Sequence, residues 1–312
     1  MDRSTGGYVL SADLGTTGLK VAVVDDDGVV RGHAGESLPM IFVGDGGVEQ
    51  DPELWWQALA RCARRALAAA AVDGSAIARL AVTSQYSTTV AVDAAGMPLA
   101  NATMWMDRRS SRHHSAGGRP GQVAHLRVAN PAAYARSAAL VEPVDALCAR
   151  LTGRVTATQN TMFPLGVIDN TVWDNTAYSP ELVGQVGIDP QRLPQLLAFG
   201  EPRGTVTVTA AEFLGVRHGT PVMSGTVDSV TSAIGTGALD PHSCGLIIGT
   251  TSVIVTHVGS AREDAAHGLA TAPSPMPHSW FVVAENGIGG KALDVFVRNI
   301  VFPDDGLGRQ LP

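Results

Sequence analysis

The stretch Tyr8-Val9-Leu10-Ser11-Ala12-Asp13-Leu14-Gly15-Thr16-Thr17-Gly18-Leu19-Lys20-Val21-Ala22-Val23-Val24 decides the fold. Two apolar, Val-rich runs flank Gly-Thr-Thr-Gly, the pattern of a β-hairpin. Glycines at both ends of the turn predict positive φ and close approach to a ligand. Outward from the hairpin, a third strand is expected over 29–35, after the Asp25-Asp26-Asp27-Gly28 turn. Asp51 as N-cap, Pro52 at the first helical position and Glu53 in the first turn then start a helix. Leu54, Trp55, Leu59, Cys62, Ala66 and Leu67 recur at helical spacing along it.

Further strands are predicted over 77–84, 88–93 and 103–106, and helices over 131–138, 144–151, 179–186 and 229–235. The polar, glycine-rich stretch 110–122, containing Gly117-Gly118-Arg119-Pro120-Gly121, reads as an exposed loop. Strand and helix alternate along the chain, which argues for an α/β protein.

Composition narrows the function. Of 312 residues, 45% are hydrophobic and 16% charged, so the chain is built to bury a core. The net charge of −7 and the lack of a basic stripe argue against a nucleic-acid partner. No run of 18 apolar residues suggests a membrane span, and the N-terminus has no signal-peptide pattern. Cys62, Cys148 and Cys244 are distant and odd in number, which fits reduced, buried thiols in a cytoplasmic protein.

The turn recurs. Asp13-Leu14-Gly15-Thr16-Thr17-Gly18 is echoed by Ile248-Gly249-Thr250-Thr251-Ser252, again between apolar strands. Glycine removes the side chain that would block a phosphate, and the amides and Thr hydroxyls offer several donors to its oxygens. Two such turns across a cleft would clasp a polyphosphate, although either is also a good hairpin turn in its own right. Asp13, directly before the first turn, can hold Mg²⁺ beside phosphates or simply cap the turn's amides. Asp228, in Gly225-Thr226-Val227-Asp228-Ser229, stands where a strand gives way to a helix. It can take a hydroxyl proton as phosphoryl transfer begins, or serve as an ordinary N-cap.

Together these residues resemble the FGGY family of carbohydrate kinases, with xylulokinase-like and gluconokinase-like members nearest. The matching pieces are Ala12 to Lys20, Val48-Glu49-Gln50-Asp51-Pro52-Glu53-Leu54-Trp55-Trp56, Ser84-Gln85-Tyr86, Met104-Trp105-Met106-Asp107-Arg108-Arg109, Leu151-Thr152-Gly153-Arg154, Gly225 to Ser229 and Ile248 to Ser252. The resemblance implies an α/β fold of the actin-like, hexokinase-type (ribonuclease H-like) ATPase class, with ATP and sugar between two related domains. It implies an N-terminal domain over 1–240 and the beginning of a second, nucleotide-binding domain over 241–312.

By the same resemblance Asp228 is the catalytic base. Asp13, Gly15, Thr16 and Thr17 serve Mg²⁺ and the phosphates, with Gly249, Thr250 and Thr251 approaching from the other domain. Gln85, Tyr86, Ser87, Trp105, Asp107, Arg108 and Ser229 fall at the sugar or polyol. Trp105 has core packing as its bland alternative, and Asp107 an ion pair with Arg108.

The chain departs from the family pattern in three places. Tyr86-Ser87 stands where xylulokinases have Met-His, so the sugar is open. The stretch 110–131 is short, which suggests an internal deletion. The chain stops at Pro312, where the family continues with most of a second domain. Exposed apolar strands and a partner, either a second copy or the missing C-terminal half, are therefore expected. Gly287-Ile288-Gly289-Gly290 lacks a dinucleotide fingerprint and reads as a helix-entry turn. The competing functions are a truncated, catalytically silent sugar-binding relative and another actin-like ATPase. The Trp-Met-Asp-Arg-Arg stretch counts against the second of these.

Overall fold

The computed structural model describes residues 7–114, 117–240, 242–248, 251–264, 266–267 and 269–302. The chain divides into two compact units, Met1–Asp228 and Ser229–Pro312.

The first unit begins with β1 (Tyr8–Leu14), β2 (Gly18–Val24) and β3 (Val30–Ser37), each antiparallel to the one before it. A small side sheet follows, made of β4 (Ile41–Val43), β5 (Gly47–Gln50) and β8 (Ala102–Thr103). Helix α1 (Pro52–Ala70) then leads to β6 (Ile77–Ser84), which joins β1 in parallel. The N-cap is the one the sequence implies: the Asp51 carboxylate accepts from the Glu53 amide at 2.9 Å. Asp51→Ala is expected to cost about 1 kcal/mol, the usual worth of such a cap. Urea denaturation checks this, and an unchanged midpoint would refute it.

Trp55, Leu59, Cys62, Ala63 and Ala66 of α1 are buried in one core with Leu10, Val21, Val23, Leu80 and Val82 of the sheet. The rest of the unit comprises β7 (Val90–Val92) paired with β9 (Ala139–Val141), and β10 (Thr156–Thr158) paired with β11 (Gln195–Leu197). Its helices are α2 (Gly118–Ala129), α3 (Pro131–Arg136), α4 (Pro143–Thr152), α5 (Gln159–Met162), α6 (Pro180–Val186) and α7 (Val208–Leu214). Finally β12 (Gly204–Thr205), β13 (Pro221–Val222) and β14 (Thr226–Val227) complete the main sheet in the order β12-β13-β6-β1-β2-β3, with β14 also on β6.

Three expectations need correction here. The stretch 110–122 is not a loop: a 3₁₀ turn over Arg109–Arg112 is followed by α2, in which Arg119 and Gln122 are buried. Pro120 is tolerated because it sits in the first turn, where amides lack helical acceptors. Gly121 serves packing: a Cβ there would stand 2.3 Å from the Ser110 carbonyl oxygen. The strand expected over 103–106 is confined to β8, and the chain turns after Thr103. Of the three cysteines, Cys62 and Cys148 are buried, but Cys244 is exposed.

In the second unit, α8 (Asp228–Gly235) runs on from the last residue of the first. β15 (Gly245–Ile248), β16 (Thr251–Val258), β17 (Glu263–Asp264), β18 (Leu269–Pro273) and β19 (Trp280–Ile288) form an antiparallel sheet in the order β15-β16-β19-β18-β17. Of the run Gly287-Ile288-Gly289-Gly290, read as a helix-entry turn, the first two residues end β19, and α9 (Gly290–Phe296) follows as that reading implies. Buried His257 is held between the Ala238 carbonyl, 2.7 Å, and the Ser274 hydroxyl, 2.9 Å. Leu246, Ile248 and Ile254 of the sheet are exposed, as are Leu293, Phe296 and Ile300 beyond it, so this unit leaves apolar surface uncovered.

Candidate active site

Three parallel strands of the first unit end side by side. Asp13 of β1 and Thr226 of β14 both pair with Thr83 of β6, from opposite sides. With strands about 4.8 Å apart, the ends of β1 and β14 lie roughly 10 Å from each other. The Gly15-Thr16-Thr17 turn follows β1, Gln85-Tyr86-Ser87 follows β6, and Asp228 follows β14. Carboxyl ends of parallel strands are where open α/β sheets bind ligands.

The first turn is tight: the Gly15 amide donates to the Gly18 carbonyl at 2.9 Å. It does not use left-handed backbone, since neither Gly15 nor Gly18 is among the residues at positive φ. Gly18 is required by proximity, because a Cβ there would meet the Glu36 carbonyl at 2.7 Å. Around Gly15 a Cβ would touch only the Gly18 carbonyl, at 3.4 Å, so the approach to the turn is open. Thr16 is clamped twice, its hydroxyl accepting from the Trp105 indole at 3.1 Å and its carbonyl from Gln50 Nε2 at 2.9 Å. Trp105 is thus polar-anchored to the turn rather than simply packed in the core.

A relay of donors sets the second turn. The Trp55 indole can only donate, and it donates to Gln50 Oε1 at 3.2 Å. That fixes the Gln50 amide with Nε2 toward Thr16, and obliges Gln85 to donate its own Nε2 to Gln50 Oε1, 2.9 Å away. Gln85 Oε1 is left buried with no hydrogen-bond partner among the described residues, an acceptor still short of a donor.

Tyr86 donates its hydroxyl to the Asn160 carbonyl at 3.3 Å. Burial, reinforced by the charges of Glu142 and Asp228 against the pull of Arg119, holds its phenol well above the ordinary range, so it stays a neutral donor. Ser87 adopts a left-handed φ of 58°, unusual for a residue with a Cβ and typical of functional turns. Thr226 donates its hydroxyl to Asn160 Oδ1 at 2.5 Å, and Thr83 donates to the Thr226 carbonyl at 2.8 Å. Asn160 therefore ties Tyr86 to the strand that carries Asp228. Asp228 itself is half-buried at the first residue of α8.

Asp107 is placed differently from the expectation. Its carboxylate is fully buried and accepts from the Val48 amide at 2.9 Å and from Arg109 Nη2 at 2.6 Å. The partner is Arg109, not Arg108, whose side chain is exposed. Burial would raise the Asp107 carboxyl, but the Arg109 and backbone hydrogen bonds outweigh it and hold it below its usual value. Arg109 also reaches Glu49 at 2.7 Å, so this pair braces β5 and the turn after β8. Ser229 opens the second unit. Gly249 and Thr250, and the side chain of Thr251, lie outside the described residues.

For a metal, Asp13 is the candidate. Its Oδ2 lies 3.6 Å from Lys20 Nζ, with the side chain 41% exposed, while Oδ1 is buried with no hydrogen-bond partner among the described residues. A single hard oxygen fits Mg²⁺, which keeps water and takes phosphate oxygens for its remaining positions. No group of three His, Cys, Asp or Glu side chains occurs among the described residues, so the protein alone builds no metal cage there.

The N-terminal-domain model of the FGGY family of carbohydrate kinases matches residues 8–128 and 121–235. The chain belongs to the FGGY family of carbohydrate kinases. It is 31% identical to the xylulose kinase of Streptomyces rubiginosus over 281 residues, covering 74% of this chain and 56% of that protein. It is 27% identical to the glycerol kinase of Methylibium petroleiphilum over 314 residues, covering 91% of this chain and 62% of that protein. It therefore spans a little over half the length of these curated relatives.

The xylulose kinase structure from Rhodospirillum rubrum superposes with a TM-score of 0.84 at 20% identity, covering 97% of this chain and 65% of that one. The likeness gives this FGGY chain the actin-like, ribonuclease H-like fold. Glycerol kinases stand beside xylulose kinases among its relatives. No helix among the described residues is long and apolar enough to cross a membrane.

Several residues of the site escape sequence reasoning. Asn160, Gln50, Glu142 and Arg119 act through contacts 34 to 74 residues away in sequence, and none carries a local pattern of its own. Gln50 falls in a stretch that carries the family resemblance, and Arg119 in the stretch read as a loop.

Proposed function

We propose that this chain is the sugar-binding and phosphate-binding part of an ATP-dependent carbohydrate kinase, transferring the γ-phosphate to a hydroxyl of a ketose or polyol. The observation that carries it is the alignment of β1, β6 and β14, whose carboxyl ends bring Asp13, Gln85 and Asp228 to one edge of the sheet. In this reading Asp228 accepts the hydroxyl proton as the oxygen attacks phosphorus. Tyr86, whose proton goes to the Asn160 carbonyl, accepts from a sugar hydroxyl. Gln85 Oε1 accepts from a sugar hydroxyl, which satisfies the atom the fold leaves unpartnered. Trp105 bridges the sugar side to Thr16. The open Gly15 and the amides and hydroxyls of Thr16 and Thr17 face the phosphates.

Asp13 would hold Mg²⁺, largely through water, and the ion when bound neutralises charge on the phosphates. Asp107 and Arg109 act as a brace. Gly249, Thr250 and Thr251 are proposed, from their sequence alone, to serve the same phosphates.

The test is ADP release from Mg-ATP with glycerol, xylulose, ribulose and gluconate, beside Asp13→Asn. At most slow turnover with a polyol or ketose is expected, and the variant is expected to lose about tenfold or more of it through weaker metal binding, with partial recovery at raised Mg²⁺. Calorimetric sugar binding without any turnover would instead favour a silent sugar-binding relative. Neither binding nor turnover would sink both.

A further inference from the structure

Behind the turn that follows β6 lies a charged pair for which the proposed chemistry has no direct use. Glu142, the N-cap of α4, and Arg119, from α2, are both completely buried, with Glu142 Oε1 3.3 Å from Arg119 Nη1. The other carboxyl oxygen accepts from the Thr88 amide at 3.1 Å, and the Ser87 backbone also hydrogen-bonds the carboxyl. Arg119 also donates to the Thr161 and Leu140 carbonyls, each 3.2 Å away, and through Nε to the Thr89 hydroxyl at 3.4 Å.

Opposite Glu142, Gln122 donates to the Ser87 carbonyl at 3.0 Å and to the Met104 carbonyl at 3.1 Å. The Thr88 hydroxyl accepts from the Trp105 amide at 3.2 Å. The one left-handed residue of the turn, Ser87, is therefore gripped at both of its peptide groups. The grip is continuous with Trp105 on one side and Tyr86 on the other.

We infer that Glu142 is a positioning residue for sugar binding. Fixed by Arg119, its carboxyl holds Ser87 in the left-handed conformation and so aims Gln85 and Tyr86 at the substrate. The inference rests on the function proposed above. Left-handed backbone at a β-carbon-bearing residue persists only when its surroundings over-determine it. An acceptor of two adjacent amides is such a surrounding, and an ionised acceptor is the stronger one.

The groups facing Glu142 are Arg119 from α2, Asp145 on its own helix and Tyr86 from the turn, with Asp228 beyond Tyr86 and Arg203 beyond Asp145. Burial, opposed mainly by Arg119, pushes the Glu142 carboxyl up to about 8. The grip on the turn thus strengthens as the solution passes from neutral to mildly alkaline.

The test compares Glu142→Gln and the neutral pair Glu142→Gln/Arg119→Met with the parent chain. Two readouts are used, calorimetric binding of glycerol and D-xylulose between pH 7 and 9, and amide exchange of the segment 85–89. In the parent, sugar binding tightens across this range. In both variants the pH dependence flattens, sugar affinity falls about tenfold to a hundredfold, and exchange at Ser87 and Thr88 speeds by about tenfold or more, while unfolding stays cooperative. The double variant removes the uncompensated arginine, so a folding failure of the single variant leaves the question answerable.

Unchanged exchange at Ser87 and Thr88 overturns the inference, as does unchanged sugar affinity with the parent's pH profile. A parent chain that binds neither sugar sinks the functional reading instead, and exchange alone then decides whether Glu142 holds the turn.

Discussion

Replacing Asp228 with asparagine is expected to lower phosphoryl transfer by about 10²–10⁴ in kcat, the usual worth of a positioned general base, with a much smaller change in sugar affinity. Asparagine keeps the size and one side-chain oxygen, so the variant should fold as the parent does. The physical reason for the split is that proton acceptance develops only as the oxygen attacks phosphorus, whereas in the proposed function sugar binding rests on Gln85, Tyr86 and Trp105. Asp228 stands beyond β14, whose Thr226 pairs with Thr83 of β6, and its charge reaches Tyr86. Steady-state kinetics on the sugar giving the highest turnover decide it. A variant within about threefold of the parent kcat removes Asp228 from the chemistry.

The largest expected stability effect is at Arg203. This side chain and Asp145 are both fully buried, with Nη1 and Oδ1 2.8 Å apart. Arg203 also donates to the Thr156 carbonyl at 2.6 Å and reaches toward the Gly225 carbonyl at 3.5 Å, just before the strand that leads to Asp228. Removing one partner strands the other charge, so Arg203→Met is expected to cost about 3–5 kcal/mol. That is a large share of the roughly 5–15 kcal/mol that holds an ordinary domain together.

The loss has a pH signature. Burial already raises the Asp145 carboxyl, with Arg203 as the main opposing influence. Without the guanidinium the folded state must protonate Asp145, whereas the unfolded chain ionises it at the ordinary carboxylate value. The folded state then binds the extra proton, so stability falls as pH rises above that value and recovers on acidification. Urea melts of Arg203→Met at pH 5 and pH 8 should show the lower midpoint at pH 8. Adding Asp145→Asn should remove most of that difference. A pH-independent loss would mean that packing, rather than stranded charge, dominates at this position.

Local chemistry made much of the molecule readable. The first hairpin, the Asp51-Pro52-Glu53 helix start, the Gly153 stop of α4 and the Ser179-Pro180 start of α6 each depend on residues within one turn of each other, and each stands where its pattern implies. The stretch 110–122 misled because glycine and proline usually mark loops, yet α2 starts within it, and Gly121 answers a contact with Ser110 that only folding creates. Asp107 misled in a milder way. Two arginines follow it, and the fold turned Arg109 inward while Arg108 stayed exposed.

By itself the sequence determined the alternation of strand and helix, the first Gly-Thr-Thr hairpin and the family, because these are written in short-range periodicity and in motif order. Tertiary structure alone decided which polar groups face each other. It set Gln85 against Gln50, Glu142 against Thr88, Arg203 against Asp145, and Asp13 and Thr226 on either side of Thr83. Those pairings join residues tens of positions apart, and burial is what makes them selective. An unmatched donor or charge in the core costs more than most single contacts return, so the fold admits only arrangements in which nearly every one is answered.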